Sequence, residues 1–172
     1  MASGGIVVTN AHVVAGQRDS QVQVRGEGPL LDAQALHYDA RNDLAVLRVP
    51  GLTAPSLPLA QEPRPGARAA ILGFPGDGPY DVRAARLGTT REVMTQDSYG
   101  RGPVRRAITP FRGNVRSGNS GGPVVDGRGR VVTTVFAAAT TGPRGGYGVP
   151  NARVREALAD LGGPVSTGPC AR

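Results

Sequence analysis

The chain is 172 residues long, enough for one sizeable domain or two small halves with a buried core. Its 26 Gly, 15 Pro and 4% aromatic residues suit many short strands and turns and count against a helical bundle. The net charge of +7 comes from scattered arginines with few aromatics among them for base stacking, so no nucleic-acid partner is expected, and no apolar run approaches the ~18–20 residues of a membrane span.

In chain order, "GIVVTNAHVV" (5–14) reads as a β-branched strand running into a short turn. "QVQVR" (21–25) and "LLDAQALHYD" (30–39) follow as strands, and "DLAVLRV" (43–49) alternates as a half-buried strand would. A Pro-rich connection at 54–66 marks a boundary between halves. "ARAAILGFPG" (67–76) is a strand ending in a turn, and 80–98 and 104–110 are strands around the Gly-rich "YGRGP" loop. "GPVVDGRGRVVTTVFAAA" (122–139) has the strand, Asp-Gly turn, strand pattern of a hairpin, and "GYGVP" is a short strand after it. Only "NARVREALADLGG" (151–163) looks helical, with Asn151 as N-cap, Val154, Leu158 and Leu161 on one face, and Gly162 at the stop.

Acyl transfer by serine requires a nucleophile, a histidine to take its proton and a carboxylate to fix the histidine's tautomer. It also requires backbone donors for the oxyanion. The chain has two histidines. His12 sits in "TNAHVV" at a strand end, Asp43 opens the "DLAVL" strand, and Ser120 lies inside "RSGNSGGPVVDG" (116–127). A lone His beside an apolar segment is an ordinary structural residue, and an Asp before a strand is an ordinary turn residue. The "GNSGGP" run is different. A turn needs one or two glycines, whereas here glycines flank a hydroxyl on both sides ahead of an apolar strand.

"VVTNAHVV", "NDLAVLRV" and "SGNSGGPVVD" resemble the three catalytic segments of trypsin-like serine proteases, in that family's chain order. Their short spacing is similar to the HtrA-like branch. "LGFPG", the "SYG" loop, "VFAAA" and the tail "GPVSTGPC" resemble the membrane-anchored periplasmic proteases of actinobacteria, of the mycobacterial acid-resistance (MarP) type. The resemblance implies an all-β fold of two six-stranded Greek-key β-barrels with a C-terminal helix. The first barrel would occupy 1–60, the second 66–150 and the helix 151–161. It implies a serine endopeptidase acting outside the cytoplasm on protein or peptide substrates, without metal or cofactor, in envelope stress or acid resistance.

Carried over by residue, the resemblance makes Ser120 the nucleophile, His12 the general base and Asp43 its orienting carboxylate. The N–H groups of Gly118 and Ser120 would form the oxyanion hole. Asn114 would lie near the floor of the substrate pocket, with Phe136, Ala137 and Ala138 as its wall and as a strand pairing with substrate. No acid stands at 114, so a small or apolar pocket is implied rather than one for Arg or Lys. Asn119 replaces the Asp of zymogen-activated relatives, which argues against that activation route. Val135 stands near the position of a serine that contacts the Asp in digestive enzymes, leaving Asp43 to backbone donors or Thr134. His37 matches no family motif and is assigned to structure.

The family pattern also has a strand and a "G-S/T-G-F" turn before the "TNAH" segment, where this sequence has only "MASGGI". The expectation is therefore an N-terminally shortened form with an incomplete first barrel. Cys170 matches a tail cysteine whose partner would lie in the missing segment, itself preceded by transmembrane helices that tether the parent protein. The alternative is a shortened, inactive protease-fold binding module.

Overall fold

The computed structural model describes residues 4–171; residues 1–3 of the expected first barrel, and Arg172, lie outside the described residues. The first half contains β1 (Ile6–Thr9), α1 (Ala11–Val14), β2 (Ser20–Gln23), β3 (Leu30–Asp39) and β4 (Leu44–Arg48). These strands form one antiparallel sheet in the order β1-β4-β3-β2. Among the described residues β1 pairs only with β4 and β2 only with β3, so the sheet is an open half-barrel, in line with the incomplete first barrel expected.

β4 is buried on both faces rather than on one. Ala45 and Leu47 pack with Val14, Ala35 and Val49 inside the half-barrel. Leu44 and Val46 face the other way, onto Val149, Val154 and Ala157 of the second half. Strict alternation places two apolar sets on opposite faces, and here each finds a partner.

The second half contains β5 (Arg68–Gly73), β6 (Asp81–Leu87), β7 (Arg91–Thr95), β8 (Val104–Gly113), β9 (Pro123–Asp126), β10 (Val131–Ala138), β11 (Gly145–Pro150) and α2 (Asn151–Ala159). Strands pair in the order β11-β10-β9-β5-β6-β8, and β11 pairs back to β8, closing a six-stranded barrel. Ile71, Leu87, Phe111, Val124 and Val135 fill it. β7 is a ribbon paired to the first part of β8. The run expected over 80–98 is thus two strands. It breaks at Gly88, where a Cβ would meet the Pro110 carbonyl oxygen at 2.8 Å.

α2 is shorter than the sequence pattern suggested, and Asn151 does not cap it. The Asn151 side chain is buried and donates to the carbonyls of Ala60 (3.0 Å) and Val131 (2.8 Å). With the Ala60 N–H donating to Val131 at 2.8 Å, these bonds pin the Pro-rich connection to β10. α2 and β11 then carry Val149, Val154 and Ala157 into the seam between halves. Burial of Val149 and of Val154 each stabilises by about 1.5–3 kcal/mol.

The β9–β10 turn shows how one residue shapes a loop. Asp126 Oδ1 accepts from the Arg128 and Arg130 amides at 2.9 and 3.0 Å, and Oδ2 accepts from the Arg130 guanidinium. Partial burial opposes the ionised form, but these hydrogen bonds outweigh it and hold the carboxyl below its ordinary range. A carboxylate depressed in the folded state stabilises above its unfolded pKa, and the contribution is lost as pH falls through the folded value. Asp126→Ala should therefore cost about 1–3 kcal/mol in denaturant melts at neutral pH. The gap from the unmutated protein should close in acid, below the ordinary Asp range. A gap constant with pH would contradict this account.

Candidate active site

His12 sits in α1, one turn of helix placed by β1, and Asp43 sits at the entrance to β4. The turn before Asp43 is held by Asp39, which accepts from the Asn42 amide at 3.0 Å and from the Asn42 side chain at 2.6 Å. Asp43 itself has φ +55°, a left-handed conformation that Asp tolerates better than bulkier residues. Its carboxylate is fully engaged by His12: Oδ1 accepts from the His12 backbone N–H at 2.9 Å, and Oδ2 lies 2.7 Å from Nδ1. The side chain of Asp43 is 5% exposed and that of His12 32%, so the buried carboxylate orients a ring whose other nitrogen reaches the cleft. Among the described residues Thr134 makes no bond to Asp43; the backbone donor expected for this carboxylate comes from His12. His37 lies in β3 opposite Val46 and takes no part in the pair.

Ser120 lies across the seam, on the loop between β8 and β9. Among the described residues its hydroxyl has no hydrogen-bond partner and is partly exposed. Free enzymes commonly show a loose nucleophile–base contact that tightens when substrate binds. The loop is tied internally by Asn119, whose Oδ1 accepts from the Arg116 amide at 2.9 Å and whose carbonyl accepts from Gly122 at 3.0 Å. Gly118 has φ +86°, and a Cβ there would lie 2.8 Å from both the Phe74 carbonyl oxygen and the Gly76 nitrogen. The Ser117 carbonyl accepts from the Gly76 N–H at 2.9 Å. In a trans peptide the N–H points opposite the C=O, so this bond turns the Gly118 N–H away from Gly76. Neither the Gly118 nor the Ser120 N–H has a partner among the described residues. Two free donors beside a hydroxyl are what a developing oxyanion needs.

A cleft of about 660 Å³ opens beside the pair, lined by His12, Asp43, Met94, Arg106, Phe136 and Ala137, with Ala138 at its exposed rim. β10 pairs with β9 only as far as Thr134, so at Phe136–Ala138 its β9-side edge has no strand partner among the described residues, while Ala137 and Ala138 pair with β11 on the other side. Asn114 is exposed and lines no part of this cleft. The space between Ala137 and Gly146 is instead closed by Val115 and the Phe111 ring, both of which a Cβ on Gly146 would strike. Cys170 is exposed, with its backbone against Gly16.

Two residues near the pair gave no sequence signal. Arg106, only 6% exposed, lies over the Phe136 ring at 4.3 Å and donates to the Arg41 carbonyl at 3.3 Å. Burial lowers its pKa, against the opposing pull of Asp43, Asp39 and Asp97. Asn10, fully buried, bonds both to Asp43 and to the serine loop.

The bonded His12–Asp43 pair lies on the half-barrel, and the glycine-flanked Ser120, beside two backbone N–H groups without partners among the described residues, lies on the closed barrel. The profile of the trypsin-like peptidase domain matches residues 1–133, and the chain belongs to that family. It is 39% identical over 168 residues to the serine protease Rv3671c of Mycobacterium tuberculosis, covering 95% of this chain and 42% of that protein. The crystal structure of the active form of that protease superposes with a TM-score of 0.90 at 36% identity, over 98% of this chain and 75% of that one. Its inactive form gives 0.81 at 36% identity, over 95% and 82%. Rat serine protease HTR4 is 30% identical over 167 residues, 93% of this chain and 32% of its own length. This chain therefore spans less than half of the curated relatives it matches.

Gly118→Ala should push the loop off the Phe74–Gly76 turn and swing the Gly118 N–H out of place. Peptide hydrolysis should fall by about 10²–10³-fold in kcat. Unchanged kcat in this variant would remove Gly118 from the site.

Proposed function

We propose that the protein is a serine endopeptidase that cleaves peptide bonds through an acyl-enzyme on Ser120. The observation that carries this is the fully engaged Asp43 carboxylate on His12, with Asn10 joining the Asp43 backbone to that of Gly121, the residue after Ser120. Ser120 Oγ attacks the scissile carbonyl while His12 takes its proton, and the same proton passes to the leaving amine. Asp43 fixes the tautomer and stabilises the imidazolium. The tetrahedral oxyanion is held by the Gly118 and Ser120 N–H groups. Water, deprotonated by His12, then releases the acyl group and restores the serine. The His12–Asp43 bond and the partnerless Gly118 and Ser120 N–H groups favour this reading over an inactive protease-fold binding module.

Substrate binds as an added strand on the open edge of β10 at Phe136–Ala138. The residues packed together beyond it, Val115, Phe111 and Gly146, carry no charge, which favours a small apolar side chain ahead of the cut bond. Action outside the cytoplasm, a membrane tether ahead of this segment, a paired Cys170 and a part in envelope stress or acid resistance belong to the same reading and rest on the likeness to the mycobacterial protease.

Ser120→Ala should reduce peptide cleavage by about 10⁴-fold or more. A peptide library should show Ala, Val or Leu ahead of the cut, with Arg and Lys disfavoured by about 10-fold or more. Cleavage surviving in Ser120→Ala would overturn the nucleophile, and a basic preference would overturn the pocket.

A further inference from the structure

Asn10 occupies the N-cap position of α1, where Asn is among the best capping residues, yet its side chain makes no cap bond. It is fully buried and points across the seam instead. Nδ2 donates to the Asp43 carbonyl at 2.9 Å, and Oδ1 accepts from the Gly121 N–H at 2.6 Å. One carboxamide, two residues before His12, thus touches the backbone of Asp43 and that of the residue following Ser120. The contact is close enough to dictate the neighbouring residue: Gly121 has φ +76°, and a Cβ there would collide with Thr9 Oγ1. Other bonds across the seam, such as Arg41 Nη2 to the Arg105 carbonyl at 3.0 Å and Arg106 to the Arg41 carbonyl, involve neither Asp43 nor the serine loop.

We infer that Asn10 is the positioning residue of this site, a carboxamide clamp that sets Ser120 against the His12–Asp43 pair. This rests on the serine-peptidase reading above. An amide suits the task because it supplies one donor and one acceptor without charge, and the site asks for one of each. The donor holds the carbonyl of Asp43 in its left-handed conformation. The acceptor takes the Gly121 N–H, which also donates to the Val135 carbonyl at 2.9 Å, so the serine loop has a second tether. Loss of Asn10 therefore loosens registry without releasing the loop. A displacement of the order of 1 Å between nucleophile and base is enough to cost about 10²-fold in rate. Both Asn10 bonds end on backbone outside Phe136–Ala138, so substrate binding is left unchanged.

The test compares Asn10→Ala and Asn10→Asp with the unmutated protein on one peptide substrate. Asn10→Ala should stay folded, keep KM within about twofold and lose about 10²-fold in kcat. Asn10→Asp adds a signature that a packing role lacks. Its neutral carboxylic acid donates and accepts as the amide does, whereas the carboxylate has no donor and faces the Asp43 carbonyl. Its activity relative to the unmutated protein should recover as pH is lowered from about 8 to about 6. The titratable groups beside it, His12 in α1 and Asp43 to which it bonds, are common to both proteins, so the ratio at each pH reads the change at residue 10. A folded Asn10→Ala with kcat within about twofold of the original overturns the clamp, as does an Asn10→Asp ratio flat with pH. Failure of both variants to fold assigns Asn10 to the fold alone and overturns it too. An unmutated protein without turnover defeats the peptidase reading itself, and the clamp falls with it.

Discussion

The structure is governed by one constraint: the groups that must meet are carried on separate halves. His12 and Asp43 belong to the half-barrel and Ser120 to the closed barrel. Neither half can perfect the site alone, so the seam has to be rigid to a fraction of an ångström. The apolar cluster of Leu44, Val46, Val149, Val154 and Ala157 supplies adhesion there, and close-packed side chains resist sliding. Apolar packing is poor at fixing registry, because it has no preferred direction. The directional part comes from Asn10, whose two hydrogen bonds reach both sides of the seam.

The C-terminal tail reinforces the open half. Val165 donates to the Ala35 carbonyl at 2.9 Å, Gly16 donates to the Thr167 carbonyl, and the Thr167 hydroxyl donates to Gln17. The same stretch lies against Tyr99, whose hydroxyl is 2.7 Å from that of Tyr38 in β3. Burial first, then the hydrogen bond with Tyr99, raises the Tyr38 pKa, so Tyr38 keeps its proton and its link to Tyr99. The β7–β8 loop, the half-barrel and the tail are thereby one connected surface beside the cleft.

Much of this was legible because it is encoded locally. The strands β2 and β4 follow from period-two patterning, β9 and β10 from a hairpin signature, and the glycine-flanked Ser120 declares an unusual backbone. What escaped notice depends on distant partners. Asn10 stood unremarked in "TNAH" and Asn151 read as an N-cap, the local use of an Asn, yet both are buried and bond across the fold. Arg106 read as one of a scattered surface set, because nothing in its neighbours announces Phe136 stacked beneath it. The two-sided burial of β4 was hidden for the same reason: alternation specifies two faces but not what covers the second. Asn114, placed near the pocket floor by analogy alone, is exposed, and Val115 with Phe111 closes that space.

The central claim is that the His12–Asp43 pair makes Ser120 nucleophilic. Reaction with a fluorophosphonate, followed by mass-spectrometric mapping of the adduct, tests it without knowledge of the substrate. The account predicts one adduct, on Ser120, formed by the folded protein and lost in His12→Ala. A folded protein that remains unlabelled, or an adduct on Ser120 that forms as fast without His12, would contradict it.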